Sequence, residues 1–137
     1  MSDFRRVTET FAVSPQIAVA DVAAAAAQGF GLINNNRPDG ETPGQPTAGE
    51  IETAARAAGL AFVSIPVVGQ PNREQVVAVQ AAIAGASGGK VLAYCRSGTR
   101  SINTWAIGAA ADGGAVGDIV KAGAAVGYDL SWLDRSP

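Results

Sequence analysis

The stretch Val91–Ser101, VLAYCRSGTRS, decides how this 137-residue chain is interpreted. An apolar run leads to Cys95, a loop with a glycine follows, and Arg100 comes directly after the loop. This order predicts a buried strand that ends at the cysteine, and a helix whose N-terminus points at the same spot. Inward-facing loop amides and the helix dipole both favour a thiolate over a thiol, so Cys95 is predicted to be a nucleophile.

The other residues of this stretch suit the binding of a tetrahedral anion. Arg100 closes the loop opposite the cysteine and is predicted to clamp an oxyanion in a bidentate manner. Ser101 or Thr99 can donate a hydrogen bond to the sulfur, and Ser101 is also a candidate N-cap of the helix. The predicted anion-binding set is Arg96, Ser97, Gly98, Thr99 and Ser101. The opposing interpretation is that a lone cysteine at a strand end is only a small buried apolar residue.

The composition predicts one globular domain over residues 1–137, since 47% of the residues are hydrophobic and 16% are charged. A net charge of −2 without a basic block argues against a nucleic-acid or membrane partner. The N-terminus lacks the apolar core of a signal peptide, and no apolar run approaches the ~20 residues that would span a bilayer. We therefore expect a cytoplasmic protein.

The numbers of cysteine and histidine residues narrow the possible catalytic chemistry further. The chain has one cysteine and no histidine. These counts exclude an internal disulfide, Ser-His or Cys-His catalysis and most zinc sites. We predict neither a metal nor a cofactor, and activation of the nucleophile by backbone dipoles and arginines alone.

Alternating strand and helix patterns predict an α/β fold with a largely parallel sheet. Capping boxes at Thr47 and Asn72, with Glu50 and Gln75 three residues on, predict two helix starts. A third helix is predicted to run to Gln28, with Asp21 as its N-cap and Gly29 as its stop. Predicted strands are Thr8–Val13, Phe30–Asn34, Leu60–Val68 (broken at Pro66) and Lys90–Tyr94; further helices are predicted directly after the cysteine loop and over Ala115–Ala125, with a short piece over Leu130–Leu133.

The loop Tyr94–Ser101 resembles the active-site loops of two superfamilies, the protein tyrosine phosphatases and the rhodaneses. Other segments narrow the resemblance to the bacterial beta-lactamase hydrolase-like, phosphatase-like domain family, over nearly the whole chain. Those segments are Ser14–Ile17, Gly29–Phe30, Ile33–Glu41, Ile65–Val67 and Gly127–Leu130. The resemblance implies a protein tyrosine phosphatase-like fold, with a central, mostly parallel sheet of four to five strands flanked by helices. It also implies a hydrolase.

The chain departs from that pattern in two functional places. Four residues separate Cys95 from Arg100, where a standard phosphatase loop has five and a rhodanese loop is shorter. Phosphatases of the dual-specificity type carry an aspartate acid after the Ile-Pro-Val strand, but the segment Val68–Asn72 has no carboxylate. Asp39 is predicted to substitute as the catalytic acid, with Glu41 as the alternative and a solvated turn as the plain interpretation.

Two further positions of the resemblance stay open. Arg37 is either a second anion clamp or a structural partner of Asp39. Tyr94 stands where many phosphatases have a histidine, and its simplest interpretation is a packing residue.

Three functions remain open from the sequence. The first is a cysteine-dependent hydrolase in which the Cys95 thiolate attacks a phosphate ester held by loop amides and Arg100. The second is a sulfurtransferase carrying a persulfide on Cys95, and the third is a non-catalytic domain that binds a small oxyanion. Members of the resembled family are joined to metallo-β-lactamase-like domains linked with sulfur handling, which implies a functional link to such an enzyme.

Overall fold

The computed structural model describes residues 2–86 and 89–135. In this part of the chain five strands form one sheet with helices on both faces. The strands are β1 (Arg5–Arg6), β2 (Phe11–Ser14), β3 (Phe30–Asn35), β4 (Ala61–Ser64) and β5 (Lys90–Tyr94). The helices are α1 (Val19–Ala27), α2 (Ala48–Ala57), α3 (Arg73–Gly85), α4 (Thr99–Ala111) and α5 (Val116–Ala125), followed by a 3₁₀ helix over Ser131–Arg135.

The order of the strands places the cysteine at the middle of the sheet. The order is β1-β2-β5-β3-β4, and all neighbours are parallel except β1, which runs antiparallel to β2. Ser14 of β2 and Asn35 of β3 both pair with Tyr94 of β5. Three strands therefore end together at one edge, where ligands gather in parallel sheets, and Cys95 is the next residue. The predicted α/β class and mostly parallel sheet are confirmed.

Alternating side chains on the strands build two cores. On β5, Val91 and Ala93 face the helices α3, α4 and α5, whereas Leu92 and Tyr94 face α1 and α2. Tyr94 is 1% exposed and belongs to this second core, where burial raises the pKa of its hydroxyl. Tyr94 is therefore a packing residue, and both faces of the strand that carries Cys95 are fixed by apolar burial.

Two of the helices begin at residues with capping side chains, as predicted. The side chains of Thr47 and Asn72 accept hydrogen bonds from the amides three residues on, and both capping boxes are complete. Helix α1 is present as predicted, but its predicted N-cap is wrong: the N-cap is Ala18, and Asp21 lies inside the first turn with its carboxylate accepting from the Ala18 amide at 2.8 Å. An acidic side chain in the first turn satisfies a terminal amide as an N-cap would, so the sequence pattern was shifted by three residues.

The structure corrects the bounds of two strands. The first predicted strand begins only at Phe11, because its carbonyl accepts from the amides of Val7 and Thr8 and closes a turn before it. The antiparallel strand β1 was not predicted. Strand β4 ends at Ser64, ahead of Pro66, which has no amide to donate to a neighbouring strand. The predicted tail piece over Leu130–Leu133 is the 3₁₀ helix that follows α5.

Candidate active site

Cys95 lies directly after β5, and the short loop from Cys95 to Gly98 leads into α4. Its side chain is buried, with 0% of its surface exposed, and its Sγ accepts a hydrogen bond from the Gly98 amide at 3.1 Å. An amide donor and a helix N-terminus beside one sulfur both stabilise the anionic form. The Gly98 amide and the N-terminus of α4 both lie at Cys95, while its role as a nucleophile stays a prediction.

Gly98 makes this loop possible. It is the N-cap of α4 with φ of 91°, a left-handed conformation that glycine adopts without steric cost. A Cβ at this position would also collide with the hydroxyl of Tyr128. That hydroxyl donates a hydrogen bond to the Ser97 carbonyl at 2.7 Å, so the loop is held from outside as well as by its own backbone.

Arg100 lies in the first turn of α4, and its guanidinium interacts electrostatically with Cys95. Its pKa is raised first by a hydrogen bond to Glu41, with smaller contributions from a hydrogen bond and a Coulombic interaction with Cys95. The guanidinium also donates to the Val67 carbonyl at 2.9 Å, which ties it to the segment after β4. The structure therefore brings together the two residues predicted as nucleophile and anion clamp.

The carboxylate of Glu41 forms a bidentate ion pair with the guanidinium of Arg100. Two hydrogen bonds of 2.8 and 2.7 Å join Arg100 Nη1 and Nη2 to Glu41 Oε2 and Oε1. The hydrogen bond from Arg100, and then that from Arg37, lowers the pKa of Glu41 from 4.5 to about 2. Glu41 is ionised at neutral pH, and an incoming oxyanion has to compete with this carboxylate for Arg100.

Arg37 is the buried anchor of this ion-pair network. Its side chain is 4% exposed and donates to Glu41 Oε1 at 2.8 Å. Further hydrogen bonds run to the side chains of Gln16 at 3.1 Å and Thr42 at 3.3 Å. The partner of Arg37 is therefore Glu41, whereas the sequence had offered Asp39 as the structural alternative.

Asp39 has a different contact from the one its predicted role requires. Its Oδ1 accepts a hydrogen bond from the Ala48 amide at 2.8 Å, at the N-terminus of α2. The residue is exposed. The role of Asp39 as a catalytic acid stays a prediction, which would require this carboxylate to leave the helix terminus.

Ser101 is part of a buried polar cluster behind the cysteine loop. Its hydroxyl donates to Asn36 Oδ1 at 2.8 Å, and Asn36 in turn donates to the Ile65 carbonyl at 3.0 Å. The N-cap prediction for Ser101 is wrong, because α4 begins two residues earlier, at Thr99, with Gly98 as its cap. The hydroxyl is committed to Asn36, which ties α4 to the ends of β3 and β4.

The remaining members of the predicted anion-binding set lie in the loop and at the start of α4; they are Arg96, Ser97 and Thr99. Arg96 is exposed, and its carbonyl accepts from the Gln16 amide at 3.2 Å. Ser97 and Thr99 are exposed and pair through their hydroxyls at 2.9 Å. Their hydroxyls face each other across the loop, and contact of these three side chains with an anion stays a prediction.

Sequence reasoning missed three contributors to the site. Glu41 was considered only as an acid, yet it is the ion-pair partner of Arg100. Asn36 and Tyr128 were quoted for the resemblance without a role, and each holds a part of the loop. All three act across long stretches of sequence, so no local pattern around Cys95 could have revealed them.

One groove of the structure lies away from the cysteine loop. It has a volume of about 390 Å³, is lined by small residues of β3, β4 and α3, and includes no residue of the cysteine loop. Within residues 2–86 and 89–135, no cluster of three or more acidic or cysteine side chains could hold a metal ion. The same described ranges contain no helix long and apolar enough to cross a bilayer.

A parallel sheet that delivers a cysteine to a glycine loop, with an arginine on the next helix, defines a phosphatase-like domain of the protein tyrosine phosphatase-like fold. The sequence model of the family described as "Beta-lactamase hydrolase-like protein, phosphatase-like domain" matches residues 3–112. The chain belongs to this family, as its sequence motifs predicted.

Individual relatives agree with this assignment. The chain is 40% identical over 136 residues to a beta-lactamase hydrolase-like protein of Agrobacterium fabrum, a match that covers 95% of this chain. The chain spans about a third of that relative, 31% of its length. A solved structure of a candidate phosphatase from Neisseria meningitidis is 32% identical, with a TM-score of 0.86 over 98% of this chain and 96% of that one.

A more distant solved structure supports the fold alone. The protein named Tk-PTP is 21% identical, with a TM-score of 0.68 over 88% of this chain and 81% of its own.

Proposed function

We propose that this domain is a cysteine-dependent hydrolase of the phosphatase-like type. The Cys95 thiolate attacks the phosphorus of a phosphate ester, an S–P bond forms, and the ester oxygen leaves with its electron pair. Water then attacks the phosphorus, releases phosphate and returns the thiolate. The observation that carries the proposal is the Gly98 amide on Cys95 Sγ at 3.1 Å, in front of α4 and beside Arg100.

Charge stabilisation in this reaction comes from the protein itself. The first-turn amides of α4 have no carbonyl partner within their own helix, so they can point at the non-bridging oxygens. Arg100 supplies a planar pair of donors for the same oxygens once Glu41 is displaced. Such preorganised donors are worth about 10²- to 10³-fold in rate for each one removed.

The engagement of both candidate acids with other groups limits the substrates. Glu41 is held ionised by two arginines, and Asp39 bonds to the start of α2. Protonation of the leaving group is worth about 10²- to 10⁴-fold, so esters of poor leaving groups should react slowly. We therefore expect aryl phosphates to be turned over much faster than alkyl phosphates.

A second candidate is a sulfurtransferase, which the four-residue spacing between Cys95 and Arg100 favours. In this reaction the Cys95 thiolate attacks the outer sulfur of thiosulfate, an S–S bond forms, and sulfite leaves. Cyanide then takes that sulfur as thiocyanate and returns the thiolate. Sulfite leaves without a proton, so this chemistry needs no acid and fits the ionised Glu41.

Both reactions use the same cysteine, and two assays separate them. We expect turnover of 4-nitrophenyl phosphate if the domain is a hydrolase, and thiocyanate from thiosulfate and cyanide if it is a sulfurtransferase. Cys95→Ser should abolish either activity, and Ser131→Ala, outside the site, should leave it unchanged. Turnover of neither substrate, with sulfate or phosphate still binding at the loop, would leave only the oxyanion-binding function.

The family resemblance also supports a proposal about a partner enzyme. Because the chain spans about a third of its curated relatives, we propose a functional link with a metallo-β-lactamase-like enzyme that handles sulfur. A shared small oxyanion or persulfide would connect the two.

A further inference from the structure

We propose that Tyr128 is a positioning residue for the nucleophile, whose hydroxyl aims one backbone amide of the loop at the sulfur of Cys95. This inference rests on the proposed function, because it concerns how the Cys95 thiolate is maintained. Tyr128 lies 33 positions after Cys95 in the sequence, beyond α5, and outside the cysteine motif.

Two hydrogen bonds of the site use the same peptide group. The Tyr128 hydroxyl donates to the Ser97 carbonyl at 2.7 Å, and the amide of the next residue, Gly98, donates to Cys95 Sγ at 3.1 Å. A trans peptide is planar, with its carbonyl and its N–H pointing in opposite directions. A donor fixed on the carbonyl side therefore fixes the direction of the N–H on the sulfur side.

The tyrosine also strengthens the hydrogen bond from the Gly98 amide to Cys95 Sγ. A hydrogen bond accepted by a carbonyl polarises its peptide and makes the N–H a better donor, by roughly 10–30% per bond in a chain. The donated N–H interacts more strongly with a thiolate than with a thiol. The loop is left-handed at Gly98 and would otherwise be free to turn this peptide, because glycine restricts its own backbone least.

Two contacts hold Tyr128 in place, and its burial keeps the hydroxyl a donor. Its amide bonds to the Gly123 carbonyl at 2.9 Å at the end of α5, and the Arg5 guanidinium lies 5.1 Å from its ring centroid. The side chain is mostly buried. Burial raises the pKa of Tyr128, with Arg5 lowering it and Cys95 raising it to smaller extents, so the hydroxyl stays protonated across the neutral range.

The charged groups around the sulfur come from several elements. Arg100 interacts with Cys95 from α4, Glu41 pairs with Arg100 from the segment after β3, and Arg37 pairs with Glu41 in the same segment. Arg96 is the adjacent residue of the loop. A test of Tyr128 must leave all four unchanged, which removal of a single hydroxyl does.

The test is the rate of Cys95 alkylation by iodoacetamide, measured across pH in Tyr128→Phe and in the wild type. The variant keeps the ring and its contact with Arg5 but loses the donor. A hydrogen bond of ordinary net strength corresponds to about a five-fold change in an equilibrium. Because the variant keeps the Gly98 amide and loses only its positioning, part of this effect reaches the sulfur, and the midpoint should rise by about half a pH unit. Ser131→Ala, which removes a hydroxyl from the same segment away from the loop, should show the wild-type midpoint.

Each outcome decides the inference. A higher midpoint in Tyr128→Phe alone supports it, even if no substrate is turned over, in which case only the proposed function fails. An unchanged midpoint in Tyr128→Phe overturns it, even if turnover persists, and so does an equal shift in Ser131→Ala. Thermal unfolding of both variants, expected to match the wild type within a few degrees, shows that the shift comes from the missing donor.

Discussion

Two loops meet at the carboxyl edge of the sheet, and they hold charge in opposite ways. The loop from Cys95 to Gly98 surrounds one sulfur with a backbone amide and a helix N-terminus. The segment after β3 holds Glu41 between the side chains of Arg37 and Arg100. One loop depends on where the main chain is placed, the other on which side chains are present.

The difference predicts which substitutions each loop tolerates. Backbone donors survive changes of the exposed side chains Ser97 and Thr99 but depend strictly on the conformation at Gly98. The ion-pair network depends less on backbone conformation, but it requires the charge of each of its side chains. Arg100 belongs to both, since it interacts electrostatically with Cys95 and forms an ion pair with Glu41.

The largest effect is expected where the two loops share a residue. Arg100→Ala should lower kcat/KM by about 10²- to 10³-fold, because it removes the charged donor for the transition-state oxygens. Arg100→Lys should recover only part of this loss, since a lysine cannot bind two oxygens at once. Arg56→Ala is the matched control: that arginine is 61% exposed and pairs with Glu52 on the surface of α2. An equal loss in the control would contradict the assignment of Arg100.

A smaller effect compares a glycine of the cysteine loop with a glycine of the segment after β3. Gly98→Ala should reduce the free energy of unfolding by about 2–4 kcal/mol, from left-handed strain and from collision with the Tyr128 hydroxyl. Gly44→Ala, at φ of 77° with open space around it, should lose about 1 kcal/mol. Urea unfolding of both variants measures the difference. Equal losses would mean that the cysteine loop is not under tight steric control.

The smallest effect concerns the carboxylate. Glu41→Gln should cost about 1–2 kcal/mol of stability, since it removes charge from two hydrogen-bonded arginines. It should also tighten the binding of inorganic sulfate, because the anion no longer competes with a carboxylate for Arg100. Isothermal titration of sulfate into both proteins checks this, and weaker binding by the variant would show that Glu41 chiefly orients Arg100.

The pH dependence of this pair has a defined sign. The folded protein lowers the pKa of Glu41 from 4.5 to about 2, so its contribution to stability is complete above about pH 4.5. The contribution is lost as the pH falls towards about 2, where the carboxylate protonates. Urea unfolding between these values should show a shallower decline in Glu41→Gln than in the wild type.

The fold was predictable because its signals are local. Capping boxes at Thr47 and Asn72 and the apolar run before Cys95 each specify an element from a few adjacent residues. One error came from a local ambiguity: Asp21 satisfies the amide of Ala18, three residues earlier, from inside the helix and does not act as the N-cap. The short β1 exists because it pairs with β2.

The site divides in the same way. Cys95 and Arg100 are five positions apart and could be paired from the sequence, whereas Glu41 reaches Arg100 from 59 positions away. Tyr128 reaches Ser97 from 31 positions away. Neither contact leaves a spacing pattern, since both depend on how the strands and helices are arranged in space. The ionised state of Glu41 also followed only from its two arginine partners.

The account depends most on the claim that Cys95 attacks the substrate and carries the transferred group. Intact-protein mass spectrometry after rapid acid quenching tests it, with 4-nitrophenyl phosphate in one sample and thiosulfate in another. We predict an added phosphoryl group or an added sulfur atom on the wild type, mapped to Cys95 and missing in Cys95→Ser. Turnover of either substrate by an unmodified protein, or by Cys95→Ser at the wild-type rate, would contradict the claim.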